Sequence, residues 1–204
     1  MQDTYRLEDF AAPSSTAPTR AGARKLPRRL RGVLSLDDFE AAARRFLPHP
    51  LFAYVSGGCE TDRSLRANRE AFERHAWVTR VLQNTSDRSL RTSLLGHEYA
   101  APFGIAPMGI SALSAYQGDL VQARAARAAN VPMILSGTSL IAMERIAKAN
   151  PDAWFQAYVP GETERIHKLL DRVEAAGFGT LVVTDDTPVA GNRENNMRPG
   201  VSTP

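Results

Sequence analysis

The sequence predicts an α/β fold of the (β/α)8 barrel type, the TIM barrel, here with about four βα units behind an N-terminal helical extension. Short apolar segments alternate with helical segments from Pro102 onwards. These segments are apolar on both faces and bounded by Gly or Pro, which is typical of parallel strands covered on both sides. Their starts lie 21 to 29 residues apart. Eight such units would make about 200 residues, close to the usual size of a TIM barrel.

Four segments are predicted as strands, at 103–106, 132–135, 153–158 and 180–184, and three as helices, at 120–129, 140–149 and 162–176. Ser139 is expected to cap the second of these helices, and Gly177 to end the third. The alternative is a complete open sheet of the flavodoxin type. That fold would normally begin with a strand, whereas this chain begins with a helix and an irregular segment.

The N-terminal extension is predicted from a capping box. Ser35 and Asp38 form an S-x-x-D pattern ahead of an apolar stripe, which predicts a helix at 36–47. Pro48 and Pro50 are expected to end that helix. Beyond it we predict a turn at 54–58, a polar helix at 62–74 and an irregular or hairpin-like segment at 76–100.

Composition describes a folded body with a basic tail. The 204 residues carry a net charge of +3, and residues 1–33 contribute seven basic and three acidic side chains to it. We therefore predict a disordered basic tail at 1–33 and a folded domain at 34–204. A nucleic-acid or membrane-surface role for the tail is the alternative. Its basic residues are not interleaved with aromatics, which favours a solvated extension and no nucleic-acid partner.

Cysteine content and hydropathy indicate the cellular compartment. The chain has one cysteine, Cys59, and no apolar run of 18 residues. These features predict a cytoplasmic protein without a transmembrane segment or a disulfide framework. Peripheral association with a membrane is left open.

Polar residues stand where each predicted strand ends, and TIM-barrel active sites lie at that face. The first strand ends in Pro107, Met108 and Gly109, and the polar side chains are Ser136 after the second strand, Gln156 and Tyr158 on the third, and Thr184 and Asp186 after the fourth. A long amide such as that of Gln156 is costly inside an apolar strand unless it is hydrogen-bonded. The pattern therefore predicts one shared polar site, suited to a heteroaromatic ring with several donors and acceptors.

Five segments resemble the FMN-dependent L-2-hydroxy acid dehydrogenases and oxidases, the family of lactate dehydrogenase-, glycolate oxidase- and mandelate dehydrogenase-like enzymes. They are FAYVSGGCE at 52–60 (followed by Asn68), PFGIAPMG at 102–109, ILSGTS at 134–139, WFQAY at 154–158 and VTDDTPVAGNRE at 183–194. The resemblance runs from about residue 34 to 198 and covers about half of a family domain. It implies a TIM barrel, FMN as cofactor, and oxidation of a 2-hydroxy acid to a 2-oxo acid.

The resemblance also implies roles for particular residues. The flavin ring would lie against the backbone of Ala106, Pro107, Met108 and Gly109, with its polar edge bound by Ser136, Gln156 and Thr184. The substrate carboxylate and hydroxyl would be held by Tyr54 and Tyr158, with help from Arg193 at the mouth of the site. Asp186 would orient a histidine base and stabilise its cation.

Simpler interpretations stay open for single residues. Tyr54 would then anchor a turn, Ser136 would lead into a helix, Asp186 would cap a strand end, and Arg193 would be a solvated loop charge. Cys59 is interpreted as a small packing residue. The four histidines match none of the family's base positions.

Three hypotheses follow for the whole chain. The first is an FMN-dependent 2-hydroxy acid enzyme of which this chain is a truncated half, inactive alone, because the family's catalytic histidine and phosphate-binding residues would lie beyond residue 204. The second is a catalytically dead half-barrel with at most an assembly role. The third is another FMN barrel, which the Tyr54 and Arg193 segments disfavour. As partners we expect a small 2-hydroxy acid, a further copy of the chain, as is frequent in the family, and the missing C-terminal half.

Overall fold

The computed structural model describes residues 28–159, 161–185 and 189–198. These residues divide into two compact units. The first contains 28–45 and 77–88, and the second contains 46–76 with the described residues from 89 onwards. Most of the predicted tail lies outside the described residues, and its last part includes a 3-10 turn at Arg28–Leu30. No helix in the described part of the chain is both long enough and apolar enough to cross a membrane.

A parallel sheet lies at the centre of the second unit, as predicted. Its strands are β3 (Ile134–Ser136), β4 (Trp154–Ala157) and β5 (Leu181–Val183), in the order β3-β4-β5. An antiparallel hairpin, β1 (Thr92–Leu94) with β2 (His97–Tyr99), precedes them in the chain. The hairpin lies within the segment that was expected to be irregular or hairpin-like.

The strand predicted at 103–106 is wrong. Only Ile105 pairs with the sheet, through a single parallel bridge to Met133. Ile105 N–H donates to the carbonyl of Pro132 at 2.8 Å, and Ile134 N–H donates to the carbonyl of Ile105 at 3.0 Å. The ladder does not continue on either side because Pro132 and Pro107 have no N–H to donate. Gly104 passes so close that a Cβ would collide with the Pro132 carbonyl. An α/β chain with one bridged segment and three parallel strands is what a partial barrel would contain.

Helices cover one face of this sheet. They are α4 (Gly118–Ala129), α5 (Met143–Ala149) and α6 (Thr163–Ala175). Leu135 on β3 and Phe155 on β4 stand in register and pack into the apolar core beneath the helices. The Phe155 and Phe178 rings lie 5.5 Å apart there. Since side chains alternate along a strand, the residues beside Leu135 and Phe155 face the opposite side, where Ser136 stands in register with Gln156.

The predicted cap of the second helix is wrong. α5 begins at Met143 with Ala142 at its N-cap, three residues later than expected. The Ser139 hydroxyl instead donates to the buried carboxylate of Asp119, in the first turn of α4, at 2.8 Å. The oxygen of the same hydroxyl accepts from Ile141 N–H at 3.1 Å, in the turn that precedes the helix, and not from a helical N–H. The end of the third helix is as predicted, with Gly177 at φ +91 just past α6.

Two N-terminal helices agree with the sequence prediction. α1 (Asp38–Phe46) begins where the Asp38 carboxylate accepts hydrogen bonds from the backbone N–H groups of Leu34 and Ser35, at 2.7 and 2.8 Å. These bonds, that from Ser35 first, lower the pKa of Asp38 below its usual value. α3 (Arg63–Glu73) is the predicted polar helix.

α1 ends at Phe46, before Pro48, as predicted, but the helix that Pro48 and Pro50 begin was not predicted. Pro48 is the N-cap of a further helix, α2 (His49–Ser56), and Pro50 lies in its first turn. Proline is tolerated there because the first N–H groups of a helix have no intrahelical partner. Tyr54 therefore lies on a helix rather than in the predicted turn.

Candidate active site

A cluster of polar side chains lies on the helix-free face of the sheet. Gln156 Oε1 accepts hydrogen bonds from the Ser136 hydroxyl at 3.2 Å and from Gly137 N–H at 3.1 Å. Gln156 Nε2 donates to Thr184 Oγ1 at 2.7 Å. Gly137 N–H can only donate, which fixes the orientation of the amide. Ser136, Gln156 and Thr184 are thus brought together as predicted.

Strand geometry explains this convergence. Ser136 and Gln156 are register partners at the carboxyl ends of β3 and β4. Thr184 follows β5 directly, and its N–H donates to Ala157 at 3.2 Å. Ser136 and Gln156 are buried, with 4% and 1% of their surfaces exposed. Every member of the cluster is uncharged, so its burial requires hydrogen bonds but no counter-ion.

The segment 106–109 lies beside this cluster. Ile110 N–H donates to the Thr138 carbonyl at 3.2 Å, and Thr138 Oγ1 lies 3.0 Å from Ser136 Oγ. A Cβ on Gly109 would collide with Thr138 Oγ1. Thr138 therefore belongs to the site, although the sequence analysis gave it no role. The sequence feature that could have identified Thr138 is its position in the SGT segment, two residues after Ser136.

Tyr54 and Arg193 form a second group. Arg193 Nη2 donates to the carbonyls of Tyr54 and Gly57, at 2.7 and 2.9 Å, at the C-terminal end of α2. The guanidinium lies over the Tyr54 ring, 4.7 Å from its centroid. A cation at a helix C-terminus and over an aromatic face is favourable in both respects. Arg193 is half-buried, so the interpretation as a solvated loop charge is wrong.

The surroundings of this group form what we call the clasp, residues 57–62 joined to residues 191–195. Asp62 accepts hydrogen bonds from Gly58 N–H, at 2.8 Å, and from Asn195 Nδ2, at 3.2 and 3.3 Å. Glu60 N–H donates to the Asn192 carbonyl at 2.9 Å. The sequence analysis missed Asp62 and Asn195, and no local pattern could have paired residues 133 positions apart.

Other predicted site residues stand apart from these contacts. Tyr158, two residues after Gln156, is 51% exposed, and Met108 is 46% exposed. Asp186 lies outside the described residues. Within the described ranges, no group of three or more His, Cys, Asp and Glu side chains could hold a metal ion.

Parallel strands with a polar cluster at their carboxyl ends are typical of active sites in α/β enzymes. Residues 43–204 match the family described as FMN-dependent dehydrogenase, and the chain belongs to that family. Its barrel relatives explain the partial sheet seen here.

Three relatives illustrate the match. An L-lactate dehydrogenase of Stenotrophomonas maltophilia is 39% identical over 173 residues, which are 84% of this chain and 46% of that protein. A putative L-lactate dehydrogenase of Mycobacterium tuberculosis is 37% identical, over 87% of this chain and 43% of the relative. The solved structure of a mandelate oxidase with 3,3-difluoro-2-hydroxy-3-phenylpropionic acid superposes with a TM-score of 0.78 at 38% identity, covering 83% of this chain and 51% of that one. The chain thus spans about half the length of these relatives.

The family indicates FMN as the cofactor, and the donor set of the cluster fits this group. The polar edge of a flavin ring is neutral and carries both donors and acceptors. A primary amide between two hydroxyls, Ser136 and Thr184, offers the same mixture without a charge. The Thr184 hydroxyl accepts from Gln156 and keeps its own hydrogen for a further acceptor.

Proposed function

We propose that this chain supplies the flavin-ring side of a site that oxidises an L-2-hydroxy acid, lactate-like in chemistry, to the 2-oxo acid. The observation that carries the proposal is the neutral cluster at the strand ends, in which Gln156 and Ser136 are buried and Thr184 is half-buried. Relatives named L-lactate dehydrogenase and mandelate oxidase support the substrate class, because lactate and mandelate are both 2-hydroxy acids.

In this proposal the chain's residues bind and orient. Ser136, Gln156 and Thr184 hold the polar edge of the ring, and the backbone of 106–109 lies against its face. FMN, when bound, would supply the acceptor for the α-hydrogen, which leaves as hydride, and a base would take the hydroxyl proton. Tyr54 and Tyr158 hold the substrate carboxylate and hydroxyl. Asp186 orients the base.

Arg193 has a further part in the proposal. One of its terminal nitrogens binds the carbonyls of Tyr54 and Gly57. Among the described residues the other guanidinium nitrogens have no hydrogen-bond partner, so they can attract an anionic substrate. The positive charge over Tyr54 also favours a carboxylate beside that ring. Tyr54 and Arg193 would thus bind the acid as one unit.

A titration tests the cofactor site. The 204-residue chain is titrated with FMN and with lumiflavin, which lacks the phosphate, and flavin fluorescence is recorded. We expect weak binding of both, because each neutral hydrogen bond contributes about 0.5–1.5 kcal/mol. Gln156→Leu should weaken binding about tenfold, since it removes the amide and its hold on Thr184. Gln122→Leu, on α4, is the matched control. Absence of any flavin binding, or equal binding by both variants, contradicts the proposal.

Turnover by the 204-residue chain alone is a separate test. Histidines 49, 75, 97 and 167 are exposed, and within the described residues none is hydrogen-bonded to the cluster or to the clasp. A missing base costs roughly 10²–10⁴-fold in rate. We therefore expect that L-lactate, glycolate and L-mandelate leave added FMN yellow under anaerobic conditions. Bleaching by any of them would show that this chain holds a competent base.

An assembly role is the second candidate. In the described residues β5 pairs with β4 only, and its outer side exposes 57% of Val183 and 37% of Leu181. Such an edge can accept a further parallel strand. The partner in this alternative is a further copy of the chain or the remaining βα units. Analytical ultracentrifugation would then show association of the chain, and the flavin titration would show no binding of FMN or lumiflavin.

A further inference from the structure

Asp62 and Asn195 have no role in the proposed function, although they join the two segments that hold its substrate-binding pair. Both carboxylate oxygens of Asp62 accept from Asn195 Nδ2, and Oδ1 also accepts from Gly58 N–H. The backbone of Asp62 is left-handed, with φ +57. Few non-glycine residues adopt that conformation, so the contacts of its side chain help to hold it.

We propose that Asp62 and Asn195 are positioning residues that fix Arg193 and, through it, Tyr54. The inference rests on the proposed function, in which Tyr54 and Arg193 bind the substrate. Asn195 lies two residues after Arg193, in α7 (Glu194–Met197). Asp62 ties this helix to the end of α2, and Arg193 spans the same gap with its bonds to the Tyr54 and Gly57 carbonyls.

Close packing makes this coupling stiff. A Cβ on Gly57 would lie 2.7 Å from Asn195 Cβ and 2.9 Å from Asn195 Nδ2. The backbone of α2 therefore lies directly against Asn195, with no room for Asn195 to move towards it. A change in the Asp62–Asn195 pair must displace α7, and Arg193 with it, relative to the Tyr54 ring.

The chemistry of the pair allows a reciprocal test. In Asn195→Asp two carboxylates face each other within hydrogen-bonding distance, and their repulsion should open the clasp. In the double variant Asp62→Asn/Asn195→Asp, an amide again faces a carboxylate with the roles exchanged. The amide oxygen at position 62 can still accept from Gly58 N–H.

The readout is the Tyr54 signal in fluorine NMR spectra of the full chain labelled with 3-fluorotyrosine. The chain has five tyrosines, and Tyr54→Phe assigns the signal. Arg193→Ala gives the position of a ring without its cation. Gln83→Glu, at an exposed position, is the matched control because it adds the same negative charge.

We expect that Asn195→Asp moves the Tyr54 signal towards its position in Arg193→Ala, and that the double variant returns it to the wild-type position. An unmoved signal in Asn195→Asp overturns the proposal, as does a folded double variant that fails to restore it. If Asn195→Asp does not fold, Asn195→Ala takes its place, and an unmoved Tyr54 signal in that variant overturns the proposal. The experiment contains no flavin, so its failure is distinct from failure of the FMN titration.

Discussion

The Gln156 cluster and the clasp are both polar, but they are built in opposite ways. The cluster is buried, neutral and carried by neighbouring strands whose register brings Ser136 and Gln156 together. The clasp is half-buried, charged and carried by helix ends and loops that meet across more than 130 residues of chain. This difference shows that the alternation of side chains along neighbouring strands positions the residues on the cofactor side of the proposed site. The residues on its substrate side are positioned by contacts between segments far apart in the sequence.

The largest effect is expected for Gln156→Leu. It removes the acceptor of the buried Ser136 hydroxyl and of Gly137 N–H, and the donor to the half-buried Thr184 hydroxyl. A buried group that loses its partner costs about 1–3 kcal/mol. We expect the free energy of unfolding to fall by about 3–4 kcal/mol in urea denaturation. Gln122→Leu should change it little. Similar losses in the two variants would contradict a special role for the cluster.

Arg193→Ala should have the next largest effect. It removes two charge-assisted bonds to helix carbonyls and the stack on Tyr54. Hydrogen bonds to charged groups contribute about 1.5–3 kcal/mol, and we expect a loss of about 2 kcal/mol. Arg193→Lys should recover part of it, since an ammonium reaches a carbonyl but lacks the planar stack. An Ala variant as stable as the wild type would show that the clasp closes without Arg193.

Gly57→Ala tests the packing of the clasp without removing a polar group. The new methyl would overlap Asn195, and overpacking of this kind costs about 1–3 kcal/mol. We expect a loss near the lower limit, about 1 kcal/mol, because the site is half-buried and α7 can shift outwards. Gly179→Ala is the control, since nothing lies within 4 Å of its Cβ position. Equal melting curves for the two variants would mean that the clasp is loosely packed.

The smallest effect is expected outside both regions, at the exposed ion pair of Glu144 and Arg172. The side-chain hydrogen bond from Arg172, at 2.9 Å, lowers the pKa of Glu144 below its usual 4.5. A lowered pKa contributes stability that is present above pH 4.5 and is lost as the pH falls through the folded-state pKa. Glu144→Gln should therefore lower the urea midpoint slightly at pH 7, progressively less as the pH falls below 4.5, and less in high salt. A difference that does not shrink with falling pH would have another cause.

What could be predicted from the sequence follows the same division. Helix α6 and strands β4 and β5 have strong local patterns, and the convergence of Ser136, Gln156 and Thr184 follows from parallel strands alone. The errors at Pro48 and Ser139 arose where one residue type serves two purposes. Proline both ends and begins helices, and serine both caps a helix and binds a buried carboxylate. Asp62 and Asn195 could not be paired, because no local signal marks a contact between loops.

The contact between Gly109 and Thr138 has an evolutionary consequence. Because a methyl on Gly109 would collide with Thr138 Oγ1, the neighbouring loop limits the size of residue 109 independently of any cofactor. A change from glycine to alanine at 109 therefore requires that the Thr138 side chain rotate away or be replaced by a smaller one. We expect the two positions to covary among related sequences, with a larger residue at 109 accompanied by a smaller one at 138.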